Sequence, residues 1–244
     1  MRNLKLTLEY DGTNYHGWQY QPGLVTIQSV LEKALGRITG GSVRTMVSGR
    51  TDAGVHAMGQ VVNFKTEGSI PTGSVRVALN SILPGDIAAI NAEEVPACFH
   101  ARFSARNRHY RYTILNRDYP SAFYHRRALF YPYRLDLSAM QEACLSVVGT
   151  FDFSSFMASG SDVRNPVRTV RRLECYRQDD FIHVDVEANA FLYNMVRIIV
   201  GTLIDVGSGK VRPSQVSTLL LARDRSAAGD TVPPHGLYLM RVDY

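Results

Sequence analysis

Apolar and polar residues alternate in several parts of the chain, as they do in strands that bury one face. Residues 3–10 (NLKLTLEY) are the clearest example, because every second side chain there is apolar. The same pattern, or a short apolar run bounded by turn residues, predicts seven further strands. They cover residues 43–48, 59–66, 86–95, 108–116, 168–177, 181–189 and 236–244.

Apolar residues spaced three and four positions apart predict the helices. Residues 26–39 (TIQSVLEKALGRIT) show this spacing, with Thr26 as the N-cap and Gly40 as the residue that ends the helix. The predicted apolar face consists of Ile27, Val30, Leu31, Ala34, Leu35 and Ile38. Further helices are predicted over 72–83, 138–149, 191–206 and 213–222.

The order of these elements predicts two related halves. Strand, helix, strand, strand, helix, strand occurs in residues 1–105, and the same order recurs in residues 106–244 without strong sequence identity. Two split βαβ units of ferredoxin-like (RRM-like) type would form one long, mainly antiparallel sheet flanked by helices and loops. We therefore predict a mixed α/β (α+β) fold with an active-site cleft between the halves.

The segment between two of the predicted strands contains charged residues that the fold alone does not require. In VSGRTDAGVHAMGQVVNF (47–64), the residues Arg50, Thr51, Asp52 and His56 lie in a loop between valine-rich stretches. A hairpin loop often contains Asp, because that side chain suits turn geometry. Asp52 therefore has two interpretations, as a turn residue or as a carboxylate held at a strand end for chemistry.

One arginine lies in the most apolar predicted helix. Arg197 is flanked by Met195-Val196 and Ile198-Ile199-Val200, so much of its surroundings must be apolar. Burying a guanidinium without a carboxylate partner costs several kcal/mol, because the ion loses its hydration. Asp205 on the same helix and Asp52 are both candidate partners, and a purely structural role for Arg197 is the alternative.

A basic and aromatic stretch follows the first half. Residues 98–127 contain seven Arg, four Tyr and three Phe against one Asp. Arginine neutralises phosphates and aromatic rings stack on unpaired bases, so the stretch is typical of an RNA-binding surface. We take five of its arginines as candidate contacts to the RNA backbone: Arg102, Arg106, Arg108, Arg111 and Arg126.

The strand within this stretch divides its side chains between two faces. Strand geometry places Arg108, Tyr110 and Tyr112 on one face, and His109 and Arg111 on the other. A tyrosine face directed toward a cleft would form a stacking platform for bases. Alternatively, the tyrosines are ordinary packing residues of a half-buried strand, and the charged face is solvated.

The composition is that of a soluble globular protein with an excess of positive charge. The 244 residues include 45% hydrophobic and 20% charged residues, and the net charge is +5. The cations are 23 Arg and four Lys, and Arg suits phosphate contacts. Because a genome-level preference for Arg would give the same bias, the charge alone does not establish a polyanionic partner.

Several protein classes are excluded by what the sequence lacks. Its three cysteines form no CxxC pair, which argues against a zinc ribbon or a disulfide scaffold and favours a reducing compartment. No GxxxxGK[ST], GxGxxG or GxSxG motif is present, and the seven histidines are not spaced as metal ligands. With no signal peptide and no apolar run long enough to span a bilayer, we expect a cytoplasmic protein without a metal or a membrane anchor.

Five motifs, in this order, resemble those of the tRNA pseudouridine synthase A family. They are EYDGTNYHGWQYQ (9–21), GRTDAGVHAMGQVVNF (49–64), FHARFSARNRHYRYTI (99–114), FLYNMVRIIVGTL (191–203) and PPHGLYL (233–239). The resemblance runs over nearly the whole chain. It implies the pseudouridine synthase fold and a homodimer that isomerises uridine in the anticodon stem-loop of tRNA, just 3′ of the anticodon, without a cofactor.

The same resemblance implies roles for individual residues. Asp52 would be the catalytic carboxylate, acting as nucleophile or base, and Arg50 would help to displace the target base. Tyr110 would stack on the flipped uracil, and Leu237 would line the base pocket. Arg197 would pair with Asp52 and hold it ionised.

Three other functions compete with an RNA-modifying isomerase. A non-catalytic RNA-binding module fits the arginine and aromatic content, but the sequence has no RNP-like string and such a module leaves Asp52 and Arg197 unexplained. A carboxylate-dependent phosphohydrolase would need clustered acidic ligands for magnesium. A structural protein would not need a charged pair in an apolar cleft.

Overall fold

The computed structural model describes residues 1–160 and 163–244, which form two compact units. Unit 1 comprises Met1–Arg106 and Tyr238–Tyr244, and unit 2 comprises Asn107–Leu237. The last strand thus belongs mostly to unit 1, whereas the sequence analysis placed all of 106–244 in the second half. The reason is a long-range parallel pairing of Tyr238 and Leu239 with His56 and Ala57, which a local pattern does not reveal.

Unit 1 has the predicted order of strands and helices. Its elements before the last strand are β1 (Arg2–Tyr10), α1 (Ile27–Thr39), β2 (Thr45–Val47), β3 (His56–Thr66), α2 (Thr72–Asn80) and β4 (Ile87–Glu94). The strands are ordered β4-β1-β3-β2, and each neighbouring pair is antiparallel. This is the arrangement of two interleaved split βαβ units, as the ferredoxin-like prediction requires.

Local sequence accounts for the first elements of unit 1. Leu4, Leu6 and Leu8 of β1 are fully buried, as the alternation predicts. The Thr26 side chain accepts a hydrogen bond from the Ser29 N–H, and the Ser29 side chain accepts one from the Thr26 N–H. The two bonds together cap α1. Gly40 ends the helix in the left-handed conformation (φ 75°), which glycine adopts without steric cost.

Unit 2 repeats the order of strand, helix, paired strands and helix, with additions. Its elements are β5 (Asn107–Leu115), β6 (Leu129–Phe130), α3 (Leu137–Leu145), β7 (Gly149–Asp152), β8 (Val167–Gln178), β9 (Phe181–Ala188), α4 (Met195–Gly207) and α5 (Val216–Ala222). The strands β5-β9-β8-β7 are antiparallel neighbours, and β6 pairs in parallel with β5. The final strand, β10 (Leu237–Asp243), begins at the last residue of unit 2.

The core of unit 2 surrounds α4. Every residue of this helix except Arg197 and Asp205 is buried, so it is apolar nearly all round, as central helices are. At Gly201 a Cβ atom would overlap the carbonyl oxygen of Asp230, which shows how closely the segment after α5 approaches the helix. This packing fixes α4, and with it the backbone that carries Arg197.

The structure corrects several predicted boundaries. The helix predicted over 191–206 begins only at Met195, because Asn194 takes a left-handed conformation (φ 58°) that helices do not continue through. The helix predicted over 213–222 opens with a 3-10 turn, Pro213–Gln215. The strands β6 and β7 were not predicted, since two and four residues are too few to show alternation.

Candidate active site

The loop between β2 and β3 carries Arg50 and, two residues later, Asp52, which begins a tight turn. The backbone N–H of Val55 donates to the Asp52 carbonyl oxygen at 3.1 Å, and Gly54 lies at a left-handed φ of 77°. Glycine is the residue that adopts this conformation at no cost, so the turn depends on Gly54. The Arg50 side chain is exposed and Asp52 is half-buried, so both can be reached by a ligand.

The segment after β1 supports this turn by close backbone contact. The Trp18 N–H donates to the Thr51 carbonyl oxygen at 2.9 Å. A Cβ atom at Gly17 would lie 2.7 Å from that oxygen, and one at Gly12 would overlap the Val55 carbonyl oxygen. The two glycines of the motif at 9–21 are therefore required so that the segment can pack against the turn.

Buried polar side chains fix the same loop from beneath. The Gln60 amide nitrogen on β3 donates to the Tyr10 hydroxyl (3.2 Å) and to the Gly49 carbonyl oxygen (2.9 Å). The Tyr10 hydroxyl lies 2.8 Å from the Thr51 hydroxyl, and the Ser48 hydroxyl donates to the Gln60 amide oxygen at 2.7 Å. Since these groups are buried, each needs its partner, and the network holds the residues on both sides of Arg50 in place.

His56 is not a loop residue, as the sequence analysis had it, but the first residue of β3. It is buried, and its ring stacks on Tyr238 of β10 at a centroid distance of 4.8 Å. Its Nδ1 accepts a hydrogen bond from the Gly12 N–H at 3.0 Å. The same nitrogen lies 3.1 Å from an Asp11 carboxylate oxygen.

In unit 2, the β5 face that carries Tyr110 points inward. Arg108, Tyr110 and Tyr112 are buried, whereas His109 and Arg111 are half-buried, as the alternation predicts. The Tyr110 ring packs edge-on against Phe191 at a centroid distance of 5.1 Å. Tyr112 is fully buried, and burial raises the pKa of its hydroxyl although the nearby positive charge of Arg197 lowers it.

Arg197 is held by oxygen atoms at the start of α4 and in the segment before β10. Its Nε donates to the Val232 carbonyl oxygen at 2.7 Å, and its Nη1 donates to the Asn194 side-chain oxygen at 2.8 Å. Asp205, one of the two candidate partners from the sequence, forms an ion pair with Lys210 at 3.1 Å. The guanidinium is thus fixed in orientation at the beginning of the helix.

The segment that leads to Leu237 is fastened to the same region of unit 2. The Tyr112 hydroxyl donates to the Pro233 carbonyl oxygen at 2.8 Å. A Cβ atom at Gly236 would lie 2.7 Å from the Tyr112 ring, so only glycine allows this approach. The structure therefore brings Leu237, which is buried, to the end of a segment that contacts both Tyr112 and Arg197.

The predicted site residues fall into two groups. Arg50 and Asp52 share one loop of unit 1, whereas Tyr110, Arg197 and Leu237 belong to unit 2, where β5, α4 and the first position of β10 carry them. Sequence reasoning missed the residues of the buried network, Tyr10, Ser48 and Gln60. One signal was present, because Gln60 is a polar residue within an otherwise apolar run of β3.

The five arginines taken as RNA contacts differ in their surroundings. Arg102, Arg106 and Arg126 are exposed. Arg108 is buried and donates to the Asn189 carbonyl oxygen at 2.6 Å. Arg111 forms a bidentate ion pair with Asp185, with both distances 2.7 Å, and this hydrogen bonding raises the pKa of Arg111.

Comparison with known proteins gives a consistent result. A family model described as tRNA pseudouridine synthase matches residues 7–104 and 143–244. A tRNA pseudouridine synthase A of Thermoanaerobacter sp. (strain X514) is 48% identical over 244 residues and 100% of both chains. The proteins of the same name in Caldicellulosiruptor saccharolyticus and Bacillus pumilus are 48% and 47% identical, over 246 and 243 residues.

Solved structures add little to this comparison. A chain from the crystal structure of a Cbf5–Nop10–Gar1 complex is 13% identical and covers 96% of this chain and 57% of its own length. The TM-score of this match is 0.36.

Among the described residues, none of the helices has the length and apolar character needed to cross a membrane. On its sequence relationships over the full length, the chain belongs to the tRNA pseudouridine synthase family.

Proposed function

We propose that this chain isomerises uridine to pseudouridine in the anticodon stem-loop of tRNA, just 3′ of the anticodon, and that Asp52 is the reacting carboxylate. The observation that carries the proposal is the turn at Asp52. Asp52 is half-buried. The residues before it are held by Tyr10, whose hydroxyl bonds to the Thr51 hydroxyl, and by Gln60, whose amide donates to the Gly49 carbonyl oxygen. A carboxylate that served only the turn geometry would not need that second layer of support.

The reaction defines what Asp52 has to do. The bond between C1′ and N1 of uridine breaks, the uracil turns, and C5 joins C1′. C5 then loses a proton and N1 gains one, so the atoms balance without an oxidant, a reductant or a cofactor. Asp52 acts as an anion in either route, adding to a carbon of the nucleoside or removing a proton from the ribose.

The exposed position of Arg50 supports a role for its side chain in displacing the target base. A base inside a stacked stem-loop is out of reach, and flipping it out costs a few kcal/mol, on the order of one unstacking step. Arg50 is exposed and lies two residues before Asp52 in the same loop. A planar guanidinium at that place can occupy the space that the flipped uracil leaves and can contact the neighbouring phosphates.

Tyr110, Arg197 and Leu237 supply the remaining roles in this proposal. Tyr110 offers an aromatic ring for the flipped uracil, and Leu237 offers an apolar side chain at the start of β10. We propose that Arg197 pairs with Asp52 and favours its ionised form. Two contacts within unit 2 support a positioned, charged Arg197. Two neutral oxygens orient its guanidinium, and its positive charge lowers the pKa of Tyr112 against the effect of burial.

Contacts to the tRNA backbone follow from the exposed cations. Of the five candidate arginines, Arg102, Arg106 and Arg126 are exposed to solvent. We assign phosphate contacts first to these three. Arg108 and Arg111 already bond within unit 2, so they would have to exchange an internal partner for a phosphate.

We further propose that the chain works in the cytoplasm as a homodimer that binds tRNA across both subunits. The three cysteines are free thiols in the structure, which suits a reducing compartment. Sedimentation equilibrium of the purified protein tests the oligomeric state. A monomer at micromolar concentration would contradict the dimer and would leave the assignment of Asp52 untouched.

Release of tritium from tRNA transcripts labelled at uracil C5 tests the proposed reaction, because C5 loses its hydrogen only when the isomerisation is complete. We expect stoichiometric release with catalytic amounts of protein. Binding of the transcript without release would favour the rival interpretation, a non-catalytic RNA-binding module.

A further inference from the structure

The segment after β1 contains a compact loop, residues 16–25, which includes Trp18. The His16 N–H donates to the Val25 carbonyl oxygen at 3.0 Å and closes the loop. Inside it, the Gln21 side chain donates to the His16 carbonyl oxygen at 3.0 Å, and the Leu24 N–H donates to the Gln21 carbonyl oxygen at 3.2 Å. Such internally bonded loops keep a defined shape.

This loop displays apolar side chains to solvent. Tyr20, Leu24 and Val25 are 51%, 40% and 56% exposed. The backbone N–H of Tyr20 is fixed by the Gln28 side-chain oxygen at 2.9 Å. Within residues 1–160 and 163–244, the Tyr20 ring has no aromatic neighbour and its hydroxyl has no hydrogen bond. A fixed backbone therefore presents a ring that the fold itself does not use.

The position of this ring relative to Asp52 limits what it can contact. Trp18 bonds to Thr51; Tyr20 is two positions after Trp18, and Asp52 is one position after Thr51. With about 3.8 Å between successive Cα atoms, the Cα atoms of Tyr20 and Asp52 are at most roughly 17 Å apart. A stacked strand rises about 3.4 Å per nucleotide, so bases within a few nucleotides of the target are in reach.

We propose that Tyr20 is a stacking platform for an unpaired base of the substrate tRNA close to the uridine converted at Asp52. The proposal rests on the function proposed above. An RNA base is the occupant the observations favour, because the loop bonds through Trp18 to Thr51, beside Asp52, and offers one aromatic ring with two aliphatic neighbours. Stacking on a ring accepts any base, so Tyr20 adds affinity near the target without reading sequence.

The test compares Tyr20→Ala, Tyr20→Phe and a control, Val77→Ala, which truncates a similarly exposed apolar side chain on α2 of the same unit. Removing an aromatic platform costs about tenfold in affinity for the stacked base. We expect Tyr20→Ala to raise the Kd for an anticodon stem-loop RNA about tenfold, whereas Tyr20→Phe and Val77→Ala stay within twofold of wild type.

A fluorescent base locates the contact. Stem-loops carrying 2-aminopurine at single loop positions are titrated with the inactive variant Asp52→Asn, with and without Tyr20→Ala. At one position near the target, we expect quenching by Asp52→Asn that is lost in the double variant. Equal quenching in the two proteins at every position would overturn the proposal, as would an unchanged Kd for Tyr20→Ala.

Further outcomes distinguish a ring that stacks on a base from a ring that contacts a second subunit. They also distinguish a failure of the role proposed for Tyr20 from a failure of the proposed reaction. A change in sedimentation of Tyr20→Ala without a change in RNA affinity would assign the ring to a contact between subunits and refute the platform. Wild type that binds but does not release tritium would refute the proposed function. Normal release by Tyr20→Ala with wild-type affinity would refute only the role of Tyr20.

Discussion

The substitution Tyr10→Phe removes one oxygen atom from the network beneath the turn at Asp52 and leaves the packing intact. The Tyr10 hydroxyl has two partners, the Thr51 hydroxyl at 2.8 Å and the Gln60 amide at 3.2 Å. Because the amide donates to it, the hydroxyl is free to donate to Thr51. In Tyr10→Phe both partners lose a hydrogen bond in a buried site.

The cost follows from these contacts. A buried polar group left without its partner costs roughly 1–3 kcal/mol. Gln60 keeps its bond to the Gly49 carbonyl oxygen, and the Thr51 hydroxyl can rotate, so the lower end applies to both. We expect the free energy of unfolding to fall by about 2 kcal/mol. If the network positions the turn, kcat also falls about tenfold, since small displacements of reacting groups are costly.

Single-turnover rates and urea unfolding measure the two effects separately. The matched control is Tyr15→Phe, which removes a buried hydroxyl of the same unit that donates to an Asp86 carboxylate oxygen and does not touch the turn. We expect the control to lose stability but to keep kcat. If Tyr10→Phe kept the wild-type kcat, with the same KM for tRNA, the network would be structural and the reasoning about positioning would be refuted.

Burial raises the pKa of Tyr10 from 10.0 to about 12. Because the unfolded chain releases this proton first, the free energy of unfolding falls as pH rises from 10 toward 12, by about 1.4 kcal/mol per pH unit; urea unfolding between about pH 9 and pH 11 should show a smaller loss in Tyr10→Phe. Arg197→Met should lower the rate and move the acid limb of the pH–rate profile to higher pH; a profile identical to wild type would disprove the pairing with Asp52. If Arg102, Arg106 and Arg126 each neutralise one phosphate, tRNA affinity should fall roughly 40-fold from about 50 to about 200 mM salt, and a flat response in a filter-binding series would contradict those contacts.

Elements fixed by neighbouring residues could be read from the sequence. The alternation in β1 and the cap and stop of α1 are local signals, and the structure reproduces them within one residue. The boundary of α4 was wrong, because the left-handed Asn194 has no sequence signal as clear as a glycine. The pairing of β10 with β3 was also missed, since parallel pairing between distant segments leaves no local pattern.

The candidate site was predictable to a similar degree. Arg50 and Asp52 stood out as charged residues in a glycine-bounded loop, and in the structure Asp52 begins a tight turn of that loop. The network residue Tyr10 did not stand out, because a tyrosine at the end of a strand is ordinary. Its importance depends on Thr51 and Gln60, which are distant in sequence and meet only in the fold.

Tritium release by wild type and Asp52→Asn, measured side by side, tests the central claim most directly. The change from carboxylate to amide keeps the size of the side chain and removes its charge and basicity. We expect Asp52→Asn to bind tRNA within a few fold of wild type and to release no tritium, because the lost interaction belongs to the chemical step. Release at a rate near that of wild type would contradict the assignment of Asp52.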